Sequence, residues 1–235
     1  QTPGGAFCSF IFKLQDPINQ KKEYSRFFED FAAHDIEYFF YNGGGDSQDT
    51  TFKVSEMAKK LKFPLKCVGI PKTVDNDLPY TDCSPGFGSV AKYIATSTLE
   101  AGLDVKSMAE TSTKVFILEV MGRHAGWIAA ASCLAATKAG DPPHIILLPE
   151  VPFEKTKFIT QVKQTVKEQG YCVIVASEGT QTRNGKFLAD SGLTDAFGHK
   201  QLGGVAPVLA GMISKIGLKN HWAVADYLQR SARHI

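Results

Sequence analysis

Four short segments carry residue types that could serve one kind of chemistry. Gly43-Gly44-Gly45-Asp46-Ser47 follows an apolar run and precedes a stretch of helix formers. Glycines let the backbone come close to a phosphate, and a helix start offers unpaired N–H groups at the positive end of a dipole. A turn capped by Asp46 or Ser47 explains the same residues about equally well, because short glycine runs are weak motifs. Pro71-Lys72-Thr73-Val74-Asp75-Asn76-Asp77 sets two carboxylates two residues apart beside a lysine and a threonine. Such a set provides a proton acceptor, a cation and a carboxylate able to organise magnesium. The plainer reading is a turn whose Asp and Asn side chains satisfy backbone donors. Met121-Gly122-Arg123-His124-Ala125-Gly126 adds a forked guanidinium suited to phosphate, next to a glycine that permits close approach. For His124 a packing or capping role suffices. Ala176-Ser177-Glu178-Gly179 offers a carboxylate for sugar hydroxyls, although alone it reads as a loop acid. Taken together, a glycine loop, a lysine, an acceptor pair and an arginine are what phosphoryl transfer needs, since that chemistry rests on positioning and charge neutralisation.

The elements that must position these groups follow from periodicity. Apolar runs of strand length alternate with longer segments of helical period, the pattern of βαβ units around parallel sheets. Strands are expected at 36–41, 65–70, 114–120, 145–148 and 172–176, and helices at 49–60, 86–103 and 155–169. An alanine-rich buried helix is expected at 127–138, with turns at Asp141-Pro142-Pro143 and Arg183-Asn184-Gly185. Each motif then falls at a strand end, where open α/β folds bind ligands, so a cleft is expected there. The fold class is α/β, doubly wound, with two Rossmann-like lobes of mostly parallel sheet covered by helices. A polar stretch at 104–113 suggests the boundary, giving lobes at 1–105 and 106–235.

Composition excludes several other classes. The 26 Lys and Arg nearly balance 24 Asp and Glu, so no nucleic-acid or membrane-surface partner is implied, and any anion site must be local. The five cysteines, Cys8, Cys67, Cys83, Cys133 and Cys172, are widely spaced with no C-x-x-C pair. That argues against a disulfide framework or a zinc site and fits a reducing cytoplasm. No apolar run approaches the ~20 residues of a membrane helix, and the N-terminus has no signal-like region.

In order and spacing, Gly-Gly-Gly-Asp-Ser, Pro-Lys-Thr-Val-Asp-Asn-Asp, Met-Gly-Arg and Ser-Glu-Gly resemble the phosphofructokinases. With Pro85-Gly86-Phe87-Gly88-Ser89 ahead of a helix, the chain is most similar to the pyrophosphate-using branch, from about Pro3 onward. The resemblance implies transfer of a phosphoryl group from pyrophosphate to the 1-hydroxyl of fructose 6-phosphate, reversibly, with magnesium, in glycolysis. It makes 1–105 a donor lobe and 106–235 a sugar-phosphate lobe. It implies that Asp75 is the base, that Thr73 contacts the transferring group, and that Lys72 neutralises the donor. Gly44, Gly45, Asp46 and Ser47 would line the donor loop, and Asp46 and Asp77 would support magnesium. Met121, Gly122, Arg123, Glu178 and Tyr227 would hold the sugar phosphate, with Lys114 and Arg230 as further cations. Some of these cations come from a neighbouring subunit in many members, so a homo-oligomer is implied. ATP-dependent relatives carry glycine at the positions of Asp46 and Lys72; here a carboxylate would fill the space of an α-phosphate and repel it.

The pattern departs from the family in three places. The opening strand and glycine-rich phosphate loop are absent ahead of Gln1, and the chain stops soon after Arg230, so an internal portion of a longer polypeptide is expected. After Gly4-Gly5-Ala6-Phe7, relatives place an arginine where this chain has Cys8, Ser9, Phe10 and Ile11. Gly45 stands where many relatives place a magnesium-binding aspartate. The alternatives are an ATP-dependent phosphofructokinase, which the Asp46 and Lys72 pair opposes, and another kinase with a Gly-Gly-Asp loop, which would lack Met-Gly-Arg and Ser-Glu-Gly in this order. A non-catalytic subunit that keeps the fold is favoured by the lost arginine and opposed by Asp75 and Lys72.

Overall fold

Tyr24, Phe27, Phe28 and Phe31 recur at the spacing of one helical face, and the segment around them forms α1 (Lys21–Ala33). It is followed by β1 (Tyr38–Gly43), α2 (Gly45–Leu61) and β2 (Lys66–Pro71). The computed structural model describes Leu14 and residues 19–194, 200–202 and 204–230. The motif at 4–11, with the missing arginine, lies outside the described residues. β1 and β2 pair in parallel, with Tyr38 opposite Lys66 and Gly43 opposite Pro71. Tyr24, Phe28, Val54 and Ala58 form the buried core of this part, with Phe39, Phe63 and Cys67 packed against it. Rings in edge contact, Phe27 on Phe39 and Phe28 on Phe63, fill the space between helix and sheet.

The rest of the described chain contains α3 (Phe87–Met108), β3 (Val115–Val120), α4 (Trp127–Ala131), β4 (Ile145–Leu147), α5 (Lys155–Gln169) and β5 (Cys172–Ser177). β6 (Asp190–Thr194) and β7 (Lys200–Leu202) form an antiparallel pair, followed by α6 (Val205–Ser214) and β8 (Asn220–Val224). A 3₁₀ turn covers Asp226–Arg230. β4, β5, β3 and β8 lie side by side in that order, all parallel. Every residue of β5 is buried, as a central parallel strand covered on both faces requires. Alternation sorts the two faces. Val115, Ile117, Ile174 and Ala176 pack with Phe158, Val162, Leu209 and Ile213 of α5 and α6. Leu118, Val120 and Val175 pack with Val90, Ile94 and Ile128 of α3 and α4. The α/β class, with helices on both faces of a parallel sheet, is therefore present. No helix among the described residues is long and apolar enough to cross a membrane.

Three local expectations are corrected. The helix at 127–138 is a five-residue α4 followed by a 3₁₀ turn, Ser132–Ala135. Asp141 accepts the N–H groups of Thr137 and Lys138 and the Thr137 hydroxyl, which turns the chain away from a helical path. That helix is also only partly buried, since Trp127 and Leu134 are exposed. α2 begins at Gly45 rather than Asp49, directly after β1, so Asp46 lies in its first turn. Finally, the two compact units are Gln1–Thr73 and Val74–Ile235, which part well before residue 105. The reason is that α3 belongs to the four-stranded sheet, and its end is anchored by Val105 and Ala109 against Tyr171 and Val173. The polar stretch at 104–113 is the tail of that helix and a short turn.

Candidate active site

In the first unit, the glycine loop is built by close approach. Gly43 is buried at the end of β1, and a Cβ there would run into the Ser47 side chain. Its carbonyl accepts the Lys72 N–H at 3.0 Å, which ties the end of β2 to the loop. Gly44 caps α2, and its carbonyl accepts the N–H groups of Ser47 and Gln48 at 3.0 and 3.1 Å. The Lys72 ammonium lies 4.0 Å from where a Cβ on Gly44 would stand, so the cation hangs beside the loop. Asp46 sits in the first turn of α2, where the helix dipole favours a carboxylate. Gly45 is exposed, and a Cβ there meets nothing within 4 Å, so space does not forbid a side chain at this position. Thr73 is half-buried and closes this unit.

The second unit begins inside the same motif. Val74 packs against the core around Val90 and Ile94, and Asn76 is buried with φ +57. Asn is one of the few residues that tolerates that conformation. Its side chain donates to the Asp82 carbonyl at 3.2 Å and accepts the Ser84 N–H at 2.8 Å. Asp75 is therefore held between a packed valine and a bonded asparagine, half-buried, while Asp77 is exposed.

At the carboxyl ends of β3 and β5, two loops are locked together. Gly122 has φ +121, and the Ser177 hydroxyl donates to its carbonyl while accepting the Gly179 N–H at 3.2 Å. A Cβ on Gly179 would meet the Arg123 backbone, which explains the glycine that follows Glu178. The Gly126 N–H reaches Glu150 at 2.8 Å and fixes the far side of the Met121 loop.

The lock sets Glu178 among charges. Its N–H donates to the Val120 carbonyl at 2.9 Å, and its half-buried carboxylate accepts the Gly122 N–H. Burial raises its pKa above the usual carboxylate value; the Arg123 guanidinium opposes that rise, and the negative Asp75 and Glu119 add to it. Arg123 keeps its Nε buried without a hydrogen-bond partner. A buried donor of this kind is costly unless something accepts from it, and an anionic oxygen would. Asp75, Arg123 and Glu178 thus bring two carboxylates and a guanidinium with an unpartnered Nε close together.

Tyr227 and Arg230 are exposed on the 3₁₀ turn after β8, with the guanidinium 5.0 Å from the ring centre. β8 runs parallel to β3, so this turn lies at the same sheet end as Met121. Lys114 does not join them. It precedes β3, at the opposite end of the strand from Met121, about 23 Å away at ~3.3 Å per residue. Its ammonium donates to the Ala109 carbonyl at 2.6 Å, at the end of α3.

Sequence reasoning gave no role to Asn76, Ser177, Gln229 or Glu119. Asn between two aspartates was a usable signal for a left-handed residue. Gln229 and Glu119 gave none, because their partners are remote in sequence. The Gln229 side chain, almost fully buried, accepts the Met121 N–H at 3.3 Å and donates to the Asp226 carbonyl at 2.9 Å. Glu119, buried in β3, accepts the Ala206 N–H at 2.8 Å at the start of α6; burial raises its pKa, the helix N–H groups oppose this, and Asp226 adds to it.

A family model, Phosphofructokinase, matches residues 4–233. The chain is 64% identical, over 235 residues, to the pyrophosphate–fructose 6-phosphate 1-phosphotransferase of Halomonas elongata, covering 100% of this chain and 56% of the relative. It is 58% identical to the protein of the same description from Methylococcus capsulatus, with the same coverage. Among solved structures, the pyrophosphate-dependent phosphofructokinase of Marinobacter aquaeolei matches with a TM-score of 0.82 and 61% identity, over 100% of this chain and 53% of that one. The chain spans about half the length of the relatives it matches.

Proposed function

The chain belongs to the phosphofructokinase family, and on that premise we propose that the protein containing it moves a phosphoryl group from pyrophosphate to the 1-hydroxyl of fructose 6-phosphate. The products are fructose 1,6-bisphosphate and phosphate, and the reaction runs in both directions, as a step of glycolysis in the cytoplasm. The observation that carries this reading is the cluster of Asp75, Arg123 and Glu178, with an unpartnered buried guanidinium nitrogen.

Asp75 takes the proton as the 1-hydroxyl attacks phosphorus. Glu178 accepts hydrogen bonds from sugar hydroxyls, a task its crowded, raised-pKa carboxyl suits because each donated bond lowers the cost of its charge. Arg123 offers its open Nε–H to the 6-phosphate, with Met121 and Gly122 shaping the loop and Tyr227 and Arg230 adding contacts. In the first unit, Gly44, Gly45 and Ser47 present backbone to the donor, Lys72 neutralises it, and Thr73 contacts the transferring group. Asp46 excludes the α-phosphate of a nucleotide.

The donor set suits magnesium carried in with pyrophosphate. Among the described residues no three His, Cys, Asp or Glu side chains are placed to hold a metal ion, and magnesium commonly binds through one or two carboxylates plus phosphate oxygens. Asp46, in the first unit, and Asp77, in the second, are the carboxylates that would serve it, and bound magnesium would supply charge neutralisation to the donor. Lys114, remote from its own chain's Arg123, serves the 6-phosphate site of a second subunit in a homo-oligomer.

The test is a coupled assay of the full-length protein with fructose 6-phosphate and either pyrophosphate or ATP. Turnover with pyrophosphate and almost none with ATP is expected. A preference for ATP would overturn the donor assignment, and equal rates with fructose and fructose 6-phosphate would overturn the acceptor.

A further inference from the structure

The interior residue Gln229 sits inside a turn whose other members face solvent. Tyr227, Leu228 and Arg230 are exposed, while Gln229 is 1% exposed. An amide at that depth is costly unless both its ends are bonded. Both are: the oxygen accepts the Met121 N–H at 3.3 Å, and the nitrogen donates to the Asp226 carbonyl at 2.9 Å. One side chain therefore spans 108 residues of sequence and fastens the turn after β8 to the loop after β3. The Ala225 N–H, donating to the Glu119 carbonyl at 2.9 Å, ends the strand pairing just before that turn, so beyond it Gln229 is the polar tie to the Met121 loop that the described residues provide. Asp226 has φ +40, a conformation that a non-glycine residue holds only when its surroundings enforce it. The Gln229 amide bonds the carbonyl of that same residue.

We propose that Gln229 is a positioning residue for acceptor binding: by clamping the Met121 N–H and the Asp226 carbonyl, it sets Arg230 and Tyr227 at a fixed place relative to Arg123, so that the two segments grip one phosphorylated sugar together. This rests on the acceptor reading given above. Gln229 itself touches no substrate. Its contribution is preorganisation of cations, which lowers the ordering cost of binding rather than the chemical barrier. It should therefore act on the Michaelis constant for the sugar phosphate, not on that for the donor and hardly on kcat.

The experiment uses the full-length protein with Gln229→Leu, which removes both bonds, and Gln229→Glu, which keeps an acceptor for Met121 but loses the donor to Asp226. The expected result is a KM for fructose 6-phosphate raised about tenfold in the leucine variant and by less in the glutamate variant. The KM for pyrophosphate and kcat should stay within about threefold of the parent. Hydrogen exchange at the Met121 amide gives a second readout that needs no turnover: it should speed up in Gln229→Leu and stay protected in Gln229→Glu. A merely structural role would lower thermal stability and raise both Michaelis constants alike, and that outcome overturns the proposal. So does an unchanged KM for fructose 6-phosphate in the leucine variant. If the parent protein shows no transfer to fructose 6-phosphate, the functional reading fails instead, and unchanged exchange at Met121 in the leucine variant then rejects the clamp on its own.

Discussion

Adding one methyl group at Gly179 should damage both stability and activity, and the structure gives the size of the effect. A Cβ at this position would stand 2.5 Å from the Arg123 carbonyl carbon and 2.8 Å from the Gly122 carbonyl oxygen. These are backbone atoms, so no side chain can swing away. Carbon atoms settle at roughly 3.5–4.0 Å, so the loop carrying Glu178 must part from the loop carrying Arg123 by about 1 Å. Overpacking of this kind costs about 1–3 kcal/mol. The Ser177 hydroxyl bond to the Gly122 carbonyl spans the same gap, and stretching it adds about 1 kcal/mol. Gly179→Ala is therefore expected to lose about 2–4 kcal/mol by urea denaturation. Because a displacement of about 1 Å can cost up to a hundredfold in rate, kcat/KM for fructose 6-phosphate should fall by about ten- to a hundredfold. Gly211→Ala is the control: it lies in α6 with nothing within 4 Å of the added atom, so it should gain about 0.5–1 kcal/mol. A Gly179→Ala protein as stable as the parent and with unchanged kcat/KM would refute the account of how the two loops lock.

The other predictions concern chemistry and pH. Asp75→Asn should lower turnover by roughly 10²–10⁴-fold, the usual share of a general base, while calorimetric titration finds fructose 6-phosphate binding nearly intact; unchanged turnover would remove Asp75 from the mechanism. Asp46→Gly should raise the use of ATP, whereas Lys72→Ala should weaken pyrophosphate use without admitting ATP. Each should shift the kcat/KM ratio of the two donors by about ten- to a hundredfold, and an unaltered ratio in Asp46→Gly would mean that the carboxylate does not select the donor. His144 supplies a pH test: burial lowers its pKa below the ordinary 6.5, and its Nδ1 accepts the Val173 N–H at 2.9 Å. The unfolded chain thus binds the proton more readily than the folded one, so this contribution to stability is complete above pH 6.5 and is lost as pH falls below it. Denaturation midpoints measured from pH 7.5 to 5.5 should decline, and a His144→Asn variant should decline less.

The α/β class, the strands that end in motifs, and the identity of the chemical groups are legible in the amino-acid order. These depend on short-range properties. The apolar run from Cys172 to Ala176 reads as a strand, and the glycines after β1 read as a strand end at a helix start, whatever lies elsewhere in the chain. Even there, residues 127–138 are not one helix: α4 gives way to a 3₁₀ turn, and Asp141, beyond the segment whose alanines suggest a helix, holds Thr137 and Lys138 in a turn. Which groups meet depends on the packed fold. Lys114 and Met121 are seven residues apart, and nothing in that spacing says that one extended strand will put them at opposite ends. Met121 and Gln229 are 108 residues apart and bonded. Glu178 has a raised pKa because the fold buries it, with Asp75 and Glu119 nearby adding to the rise, and Gly179 is glycine because the Arg123 backbone passes beside it. The same holds for the division at Thr73 and Val74, which cuts through a single motif. Residue type and period fix local conformation, because sterics and hydrogen bonding act over a few residues; proximity across the sheet follows from strand order and parallel pairing, which no local stretch of this chain encodes.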